Sequence, residues 1–405
     1  MNLLHLFSSI VKYNLPFTNK TVCIEEIKQQ FSDGGGVWQK FAQMLSGQGD
    51  IIGQDLATEL QKMLFDCPAH DDAYSARIIK DAFGDKYDTK GMKMIGSGTI
   101  SQVYKIHDKN SGKYVAIKVM HPDIKKEIKT ACDLYDNIKE SFLFPRQLRT
   151  ITKLFFMGLR EQLDMRKEFK NGKVMSQMWN GDVIIVPKMI DCSKKCIVMS
   201  YEESKLVCSF EISEDNKHML MKVSLLTSLS EINMLYKGLF HLDLHPGNYG
   251  IRETNGLVQL VIYDFGQCGD LSKIQLETRI MWTEAFFTKN YHLWVKAICP
   301  NYYDKLVASF YKPERSFEQN VERTTSELLI NDYQLDDNTL NICTGCIKIM
   351  PNSSLVDKLL QLKGMEQYQN RNLYKYGREH YITKYFPYPE FDNMKQLFIE
   401  FDKKL

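Results

Sequence analysis

The sequence contains no apolar run that approaches the roughly 20 residues needed to cross a bilayer, which excludes a conventional transmembrane helix. It also lacks an excess of one charge, since 52 Lys and Arg stand against 50 Asp and Glu and leave a net charge of +2. Proteins that bind nucleic acid need a basic surface for the phosphates, so we expect no nucleic-acid partner. The chain does have 44% hydrophobic residues over 405 positions, enough for packed cores.

Closely spaced cysteines are scarce as well. The ten cysteines are scattered, and only Cys192 with Cys196 and Cys343 with Cys346 stand close together. A zinc site would require the two pairs to meet, so we interpret the thiols as reduced and the protein as intracellular and cytoplasmic. Residues 1–12 are apolar but lack preceding basic residues, which disfavours a secretory or mitochondrial signal. An interfacial helix there would allow peripheral association with a membrane surface.

The stretch 241–248 reads His-Leu-Asp-Leu-His-Pro-Gly-Asn and is followed, after a hairpin pattern, by Asp264-Phe-Gly. An acid, an amide five positions later and a second acid after a strand are groups that phosphoryl transfer uses to hold metal and orient a hydroxyl. Residues 257–263 have the pattern of a buried strand, and 253–256 have that of a hairpin turn. We therefore expect Asp243, Asn248 and Asp264 at one rim of a small sheet.

Three other interpretations compete. Asp-Phe-Gly alone is a weak signal because Asp and Gly are common turn residues. His241, Asp243 and His245 are also suitable ligands for a hydrolytic metal site, although no further histidine pair is spaced to complete a dinuclear cage. Alternatively, the histidines brace the loop by hydrogen bonding.

Upstream features favour the phosphoryl-transfer interpretation. Gly96, Ser97 and Gly98 form a glycine-containing turn between two β-prone runs, where backbone N–H groups are able to approach phosphate oxygens. Lys118 then stands inside the apolar strand 114–120 and needs an anionic partner if it is buried. Without burial it would be an edge lysine reaching solvent. The glycine turn, the lysine strand, the Asp/Asn loop and Asp-Phe-Gly occur in the order found in kinases.

A carboxylate partner for Lys118 should come from a helix between that strand and the 241–248 loop. The segment 159–169 has helical apolar spacing, and Glu161, Asp164 and Glu168 share one face of it. Spacing alone does not choose among the three. If none of the three contacts Lys118, they form a charged helix face exposed to solvent.

Four stretches of the sequence together resemble the UbiB/AarF family of atypical kinases, which is linked to ubiquinone biosynthesis. They are residues 241–248, the strand and following residues 115–122, the helix 163–168, and the segment 35–46, which is similar to the family's Lys-x-Gly-Gln motif. The resemblance covers roughly residues 34 to 290.

The resemblance implies specific roles. It makes Glu168 the partner of Lys118, makes Asn248 and Asp264 metal ligands, and places Lys40 and Gln43 over the active site as regulatory residues. The sequence departs from the family at two points. Gly96-Ser-Gly replaces the family's alanine-rich turn, which implies weaker restraint on phosphotransfer, and Ala42 replaces the glycine of Lys-x-Gly-Gln.

The residues after Asp-Phe-Gly bear on the substrate. Residues 266–272 run almost directly into the helical pattern 273–282, without the long activation segment and Ala-Pro-Glu that protein kinases use to dock peptides. We therefore expect ATP hydrolysis alone or a small-molecule or lipid-related acceptor rather than a peptide.

Together these features predict an α+β, bilobal protein-kinase-like fold that binds ATP or ADP with Mg2+. We expect a helical N-terminal extension over 1–90, an N-lobe over 91–202 and a helical C-lobe over 203–405. Segments 183–187 and 196–202 are expected to complete the small-lobe sheet, with Met199 and Tyr201 at the hinge beside the nucleotide.

Two alternatives remain open for the function. One is a catalytically weak nucleotide-binding scaffold that regulates lipid or quinone metabolism, and the other is a small-molecule phosphotransferase of the aminoglycoside or choline kinase type. The sequence assigns neither an acceptor nor an oligomeric state. The region past 290 contains aromatic-rich helical patterns, but no motif.

Overall fold

The computed structural model describes residues 3–46, 49–62, 69–138, 146–179, 181–287, 289–330 and Leu359. The predicted aromatic-rich helices, including Tyr368 to Tyr385, and the Cys343/Cys346 pair lie outside these residues. The chain divides into two compact units. Unit 1 comprises 1–170, 189–201 and 322–340, and unit 2 comprises 171–188, 202–321 and 341–405.

Unit 1 begins with helices that precede its sheet. They are α1 (Leu3–Tyr13), α2 (Lys20–Asp33), α3 (Gly36–Ser46), α4 (Gly49–Ile52), α5 (Gln54–Lys62) and α6 (Asp72–Phe83). Helix α6 begins where the Asp71 side chain accepts a hydrogen bond from Ala73 N–H, and it ends at Gly84, whose φ of 65° favours glycine.

The sheet of unit 1 is antiparallel and five-stranded, in the order β1-β2-β3-β6-β5. Its strands are β1 (Lys93–Ser97), β2 (Ser101–His107), β3 (Tyr114–Met120), β5 (Met189–Cys192) and β6 (Cys196–Ser200). The central strand β3 is rich in β-branched residues and is buried except at Tyr114. Ile79 of α6 packs with Ile117, Val119 and Tyr104 in the core of this sheet.

Three further helices follow β3 in the chain: α7 (Ile124–Ile138), α8 (Arg146–Glu161) and α9 (Met165–Ser176). The aromatic residues of α3 pack on α8, since the ring centroids of Trp38 and Phe156 lie 6.2 Å apart and those of Phe41 and Phe156 lie 6.1 Å apart. The N-terminal helices therefore belong to the same packed unit as the five-stranded sheet.

Unit 2 contains a four-stranded sheet, in the order β4-β10-β9-β7, and a two-stranded pair, β11-β8. The strands are β4 (Ile184–Ile185), β7 (Lys205–Leu206), β8 (Leu239–His241), β9 (Tyr249–Thr254), β10 (Leu257–Ile262) and β11 (Cys268–Asp270). Its helices are α10 (Lys217–Lys237), α11 (Leu276–Phe287), α12 (Tyr291–Ile298) and α13 (Tyr303–Phe310); α14 (Phe317–Ile330) begins here and ends in unit 1.

Two local predictions were wrong. The segment 183–187 was assigned to the small-lobe sheet, but β4 pairs in parallel with Leu260 and Val261 of β10 in unit 2, and β5 takes the place beside β6. A short apolar run carries no information about which sheet it joins. The segment 159–169 was expected to be one helix, but α8 ends at Glu161 and α9 starts at Met165.

Candidate phosphoryl-transfer site

Lys118 and Glu168 form a buried ion pair in unit 1. The distance between Lys118 Nζ and Glu168 Oε1 is 2.7 Å, and the two side chains are only 10% and 11% exposed. Lys118 lies in the middle of β3, opposite Val103 on one side and Ile197 on the other. An ammonium among apolar strands is tolerated only with a carboxylate partner, and Glu168 provides it.

The break between α8 and α9 determines which carboxylate meets Lys118. Asp164 accepts a hydrogen bond from Arg166 N–H at 3.0 Å and so satisfies a free amide at the start of α9. The Arg166 guanidinium, hydrogen-bonded to the same carboxylate, lowers the pKa of Asp164 to about 2. Glu161 pairs with Lys167 at the surface. Of the three candidates, Glu168 is therefore the one in contact with Lys118.

The glycine turn joins β1 to β2 and has an irregular register between Met94 and Gly96. Gly98 N–H donates to Ser101 O at 2.9 Å, which closes the turn. A Cβ placed on Gly96 would meet nothing within 4 Å, so the space beside this backbone is open. Within the described part of the chain, Ser97 Oγ is buried and has no hydrogen-bond partner.

The predicted hinge residues lie at the end of β6. Met199 is 9% exposed and is paired with Ala116 of β3 in the sheet register. Tyr201 follows the strand, and Lys105 Nζ lies 4.1 Å from the centre of its ring. Met199 thus borders the strand that carries Lys118, and Tyr201 contacts Lys105 of β2.

In unit 2, backbone contacts shape the loop 241–248. Asn248 Nδ2 donates to Asp243 O at 2.8 Å, and Tyr263 N–H donates to Asn248 O at 2.8 Å. These bonds hold the loop against the end of β10. The first bond uses the side-chain NH2 group of Asn248. The side-chain oxygen Oδ1 is an atom of the type that Mg2+ prefers as a ligand.

His241 is fully buried and uses both ring nitrogens inside this loop. Its Nδ1 accepts from Asp243 N–H at 3.1 Å, and its Nε2 donates to Tyr263 O at 3.0 Å. Burial lowers the pKa of His241, so the ring stays neutral. A ring engaged in this way has no lone pair left for a metal, and no group of three metal-ligating side chains occurs within the described ranges. His241 is therefore not available as a ligand for the hydrolytic metal site considered above.

Asp264 follows β10 and is exposed, with a left-handed φ of 54°. Its Oδ1 accepts from Gly266 N–H at 3.1 Å. The next residue, Phe265, is buried beside His241, with ring centroids 5.9 Å apart. Asn171 Nδ2 donates to Phe265 O at 3.0 Å, a brace that no sequence signal indicated.

The hairpin β9–β10 brings Asn248 and Asp264 to the same rim of the sheet. Its register pairs Thr254 with Leu257 and continues to Tyr249 with Ile262. Asn255 and Gly256 form the turn with φ values of 52° and 76°, the conformation that Asn-Gly hairpins favour. The hairpin therefore places Asn248, which precedes β9, and Asp264, which follows β10, at the same end of the two strands.

The segment 35–46 lies beside the glycine turn within unit 1. A Cβ on Gly36 would be 2.6 Å from Thr99 O, so only glycine permits this approach. Lys40 Nζ donates to Gln162 Oε1 at 3.0 Å, a partner missed by sequence reasoning, and Gln43 is half-buried. Ala42 is fully buried in α3, where the backbone is ordinary helix, so this position does not require glycine.

The five-stranded sheet with its lysine–glutamate pair, and the loop and hairpin with Asp243, Asn248 and Asp264, define a protein-kinase-like α+β fold. This confirms the predicted fold class. A family model described as "ABC1 atypical kinase-like domain" matches residues 66–297, and the chain belongs to this family. The resemblance to UbiB/AarF proteins noted from the motifs is thereby confirmed.

Two curated relatives and one solved structure show the extent of the similarity. The chain is 27% identical over 278 residues to "Probable protein kinase UbiB" of Glaesserella parasuis, covering 64% of this chain and 50% of the relative. It is 26% identical over 258 residues to an uncharacterized chloroplastic aarF domain-containing protein kinase of Arabidopsis thaliana, covering 60% and 36%. The Rv3197–erythromycin complex of Mycobacterium tuberculosis aligns with a TM-score of 0.47 and 16% identity, covering 72% of this chain and 83% of that one.

The chain therefore spans half or less of the length of these curated relatives. Among the described residues, no helix is long and apolar enough to cross a membrane.

Proposed function

We propose that this chain is an ATP-dependent phosphotransferase or ATPase that binds ATP with Mg2+ and transfers or hydrolyses the terminal phosphate. The observation that carries the proposal is the buried pair of Lys118 and Glu168, at 2.7 Å. Kinases use such a pair to hold the lysine against the α- and β-phosphates. A buried ion pair contributes little net stability compared with apolar residues of the same size, so stability alone does not explain a lysine at this position.

Lys118 orients the phosphates, and its position is fixed from two directions. Strand β3 sets its Cα through the ladders to β2 and β6, and Glu168 sets its Nζ. Gly96, Ser97 and Gly98 cover the phosphates. The open space beside Gly96 and the unpartnered hydroxyl of Ser97 are consistent with that role. Met199 and Tyr201 contact the adenine.

Asn248 and Asp264 hold Mg2+, and their oxygen atoms fit a hard cation. When bound, the metal neutralises charge on the phosphates and on the leaving oxygen. Asp243 orients the attacking hydroxyl or water and accepts its proton. His241 contributes by fixing the backbone of Asp243, because its Nδ1 accepts a hydrogen bond from Asp243 N–H.

The acceptor is a small molecule or a lipid-related compound, or water in the case of hydrolysis. After Gly266 the chain enters β11, which pairs with β8, and α11 begins at Leu276. No long segment intervenes that resembles the peptide-docking segment of protein kinases. The segment carrying Lys40 and Gln43, which approaches the glycine turn at Gly36, regulates access to the phosphates.

The test compares substitutions with a matched control. Lys118→Met and Asp264→Asn should each weaken Mg2+-dependent ATP binding by at least about tenfold, the effect of losing one charge-assisted contact. Lys167→Met removes another lysine that is paired with a glutamate at similar distance, but on the surface, and should leave ATP affinity unchanged. Asp243→Ala should abolish ATP consumption while leaving binding intact. Unchanged metal-dependent affinity in Lys118→Met and Asp264→Asn would refute the proposal, whereas tight binding without turnover in the wild type would identify a nucleotide-binding scaffold.

A further inference from the structure

Two histidines, His70 and His121, connect the start of α6 to the glycine turn, and no step above uses them. His121 directly follows β3, and the distance from its Nε2 to Gly98 O is 2.8 Å. Its backbone N–H also donates to Ile100 O at 2.8 Å. His121 therefore contacts two carbonyl groups of the turn, those of Gly98 and Ile100. We call His70 and His121 the histidine pair.

His70 holds the other side of His121. The two Nδ1 atoms lie 2.6 Å apart, and His70 Nε2 is 2.6 Å from the hydroxyl of Ser75, a residue with no exposed surface. The backbone of His70 is itself fixed, because its N–H donates to Gln102 Oε1 at 2.8 Å and its carbonyl accepts from Gln102 Nε2 at 3.2 Å. The pair is thus built into the unit rather than resting on its surface.

The proton positions follow from counting donors and acceptors. Gly98 O is only an acceptor, so His121 Nε2 carries a proton, and in the neutral ring His121 Nδ1 is an acceptor. His70 Nδ1 must then donate to it, which leaves His70 Nε2 to accept from the Ser75 hydroxyl. One tautomer of each ring satisfies every contact, and it forms a directed chain from Ser75 to Gly98.

The consequence for the turn comes from the planarity of the peptide bond. The carbonyl of Gly98 and the N–H of Thr99 belong to one trans peptide and point in opposite directions. Because His121 fixes the carbonyl, it also fixes the direction of Thr99 N–H. Because Gly98 lacks a Cβ, the Gly98–Thr99 peptide plane would flip at little energetic cost without the contact to His121. The N–H of Gly98 is already used by Ser101 O, so Thr99 N–H is the next amide along the turn.

We infer that the histidine pair selects the orientation of the Gly98–Thr99 peptide that presents Thr99 N–H to a nucleotide phosphate. His121 and His70 are positioning residues, since they act through the turn and not on the phosphate itself. The inference rests on the proposed ATP site, and it adds the two residues that orient one phosphate-binding amide, the N–H of Thr99.

The charge state of the pair is set by its surroundings. Burial first, and then the neighbouring His121, lowers the pKa of His70 to about 4, and burial lowers the pKa of His121. The groups facing the pair are Asp71 and Asp72 at the start of α6, Tyr74, whose ring stands edge-on to His70, and Tyr104, which donates to Asp72. A first added proton is tolerated at His70 Nε2 because the Ser75 hydroxyl is able to accept as well as donate. Both lowered pKa values favour the neutral form of the two rings at pH 7.

Three variants and one spectrum test the inference. His121→Leu removes the donor to Gly98 O and should raise KM for ATP by about five- to tenfold, the effect of one hydrogen bond, with kcat changed less than twofold. His121→Gln restores an N–H donor near the Nε2 position and should recover most of the affinity. His107→Leu makes the same change elsewhere on the sheet, in β2, and should have no effect on KM. Nitrogen-15 spectra of the wild-type histidines should show His121 protonated at Nε2 and His70 at Nδ1.

The nucleotide-free protein separates failure of this inference from failure of the ATP site. The residual dipolar coupling of the Thr99 N–H reports the direction of this bond, and in the His121→Leu variant it should shift toward zero relative to wild type, whether or not ATP binds, because the peptide is no longer held in one orientation. A wild-type coupling at Thr99 in that variant, or the opposite tautomers in the spectrum, overturns the inference. Absence of ATP binding to the wild-type protein, with the coupling and tautomers as expected, overturns the proposed function and leaves the positioning of the peptide intact.

Discussion

The pair of Lys118 and Glu168 gives the sharpest stability prediction, through the substitution Glu168→Gln. At a separation of 2.7 Å and an effective dielectric constant of about 20, the attraction between the two charges is about 6 kcal/mol before desolvation is subtracted. Removing one partner of such a buried pair typically destabilises a protein by about 3–5 kcal/mol, because the other charge stays buried. Gln keeps an oxygen that accepts one neutral hydrogen bond, worth about 1 kcal/mol. We therefore expect Glu168→Gln to lower the free energy of unfolding by about 2–4 kcal/mol.

The matched control is Glu161→Gln. Glu161 pairs with Lys167 at 2.6 Å, but these side chains are 62% and 53% exposed, so the change should lower the free energy of unfolding by no more than about 0.5 kcal/mol. Urea unfolding followed by far-UV circular dichroism measures both values, provided that the slopes of the transitions agree. Equal losses in the two variants would refute the argument, since burial would then not determine the effect.

The double variant Lys118→Met/Glu168→Leu completes the comparison. Replacing both charges by apolar groups of similar size removes the burial penalty, so stability should return to within about 1 kcal/mol of wild type or exceed it. ATP binding should nevertheless be weakened by at least about tenfold, as in Lys118→Met. A double variant no more stable than Glu168→Gln would show that packing, rather than charge, controls this site.

Three further predictions concern other parts of the chain. Gly256→Ala should lower unfolding free energy by about 1 kcal/mol because of its φ of 76°, whereas Gly238→Ala, with a φ of 86° and a Cβ only 2.7 Å from Arg279 Nη1, should cost clearly more in the same urea assay. His70→Asn should reduce the acid sensitivity of stability: the folded pKa of about 4 lies below the ordinary histidine value of 6.5, so the unfolded state binds more protons and wild-type stability falls as pH drops through that interval. Asp164→Asn should reduce acid sensitivity in the same direction but in a lower pH interval, because the folded pKa of about 2 lies below the ordinary 3.8, and the stabilisation that Asp164 provides above pH 3.8 should disappear as wild type is titrated toward pH 2. An unchanged pH profile in either variant, or equal losses for the two glycines, would contradict these assignments.

Local motifs predicted much of the site because each motif has its own geometry. The hairpin from Asn248 to Asp264 could be derived from the buried-strand pattern of 257–263 and the turn pattern of 253–256, and the structure contains this hairpin. The kinase-like α+β class followed from the order of four such motifs, and the family from a resemblance that also includes the segment 35–46. The roles of Asp243, Asn248 and Asp264 in catalysis remain predictions.

Contacts between distant parts of the chain could not be predicted in the same way. Glu161, Asp164 and Glu168 were equivalent on a continuous helix, and the choice depends on the cap that Asp164 makes to Arg166 N–H. Nothing in the periodicity distinguishes a cap from a helical position when both suit Asp. The parallel pairing of β4 with β10 likewise depends on tertiary packing, because both sheets accept an apolar run.

The β9–β10 hairpin has a practical value for protein engineering. Its turn at Asn255 and Gly256 lies six residues of strand away from Asn248 and Asp264, about 20 Å along an extended chain. The exposed turn is thus the end at which a peptide tag or fluorophore is best inserted, while the ladder keeps the amide and acid at the opposite end in register. Such a label would report on the sheet without touching the groups assigned to the metal.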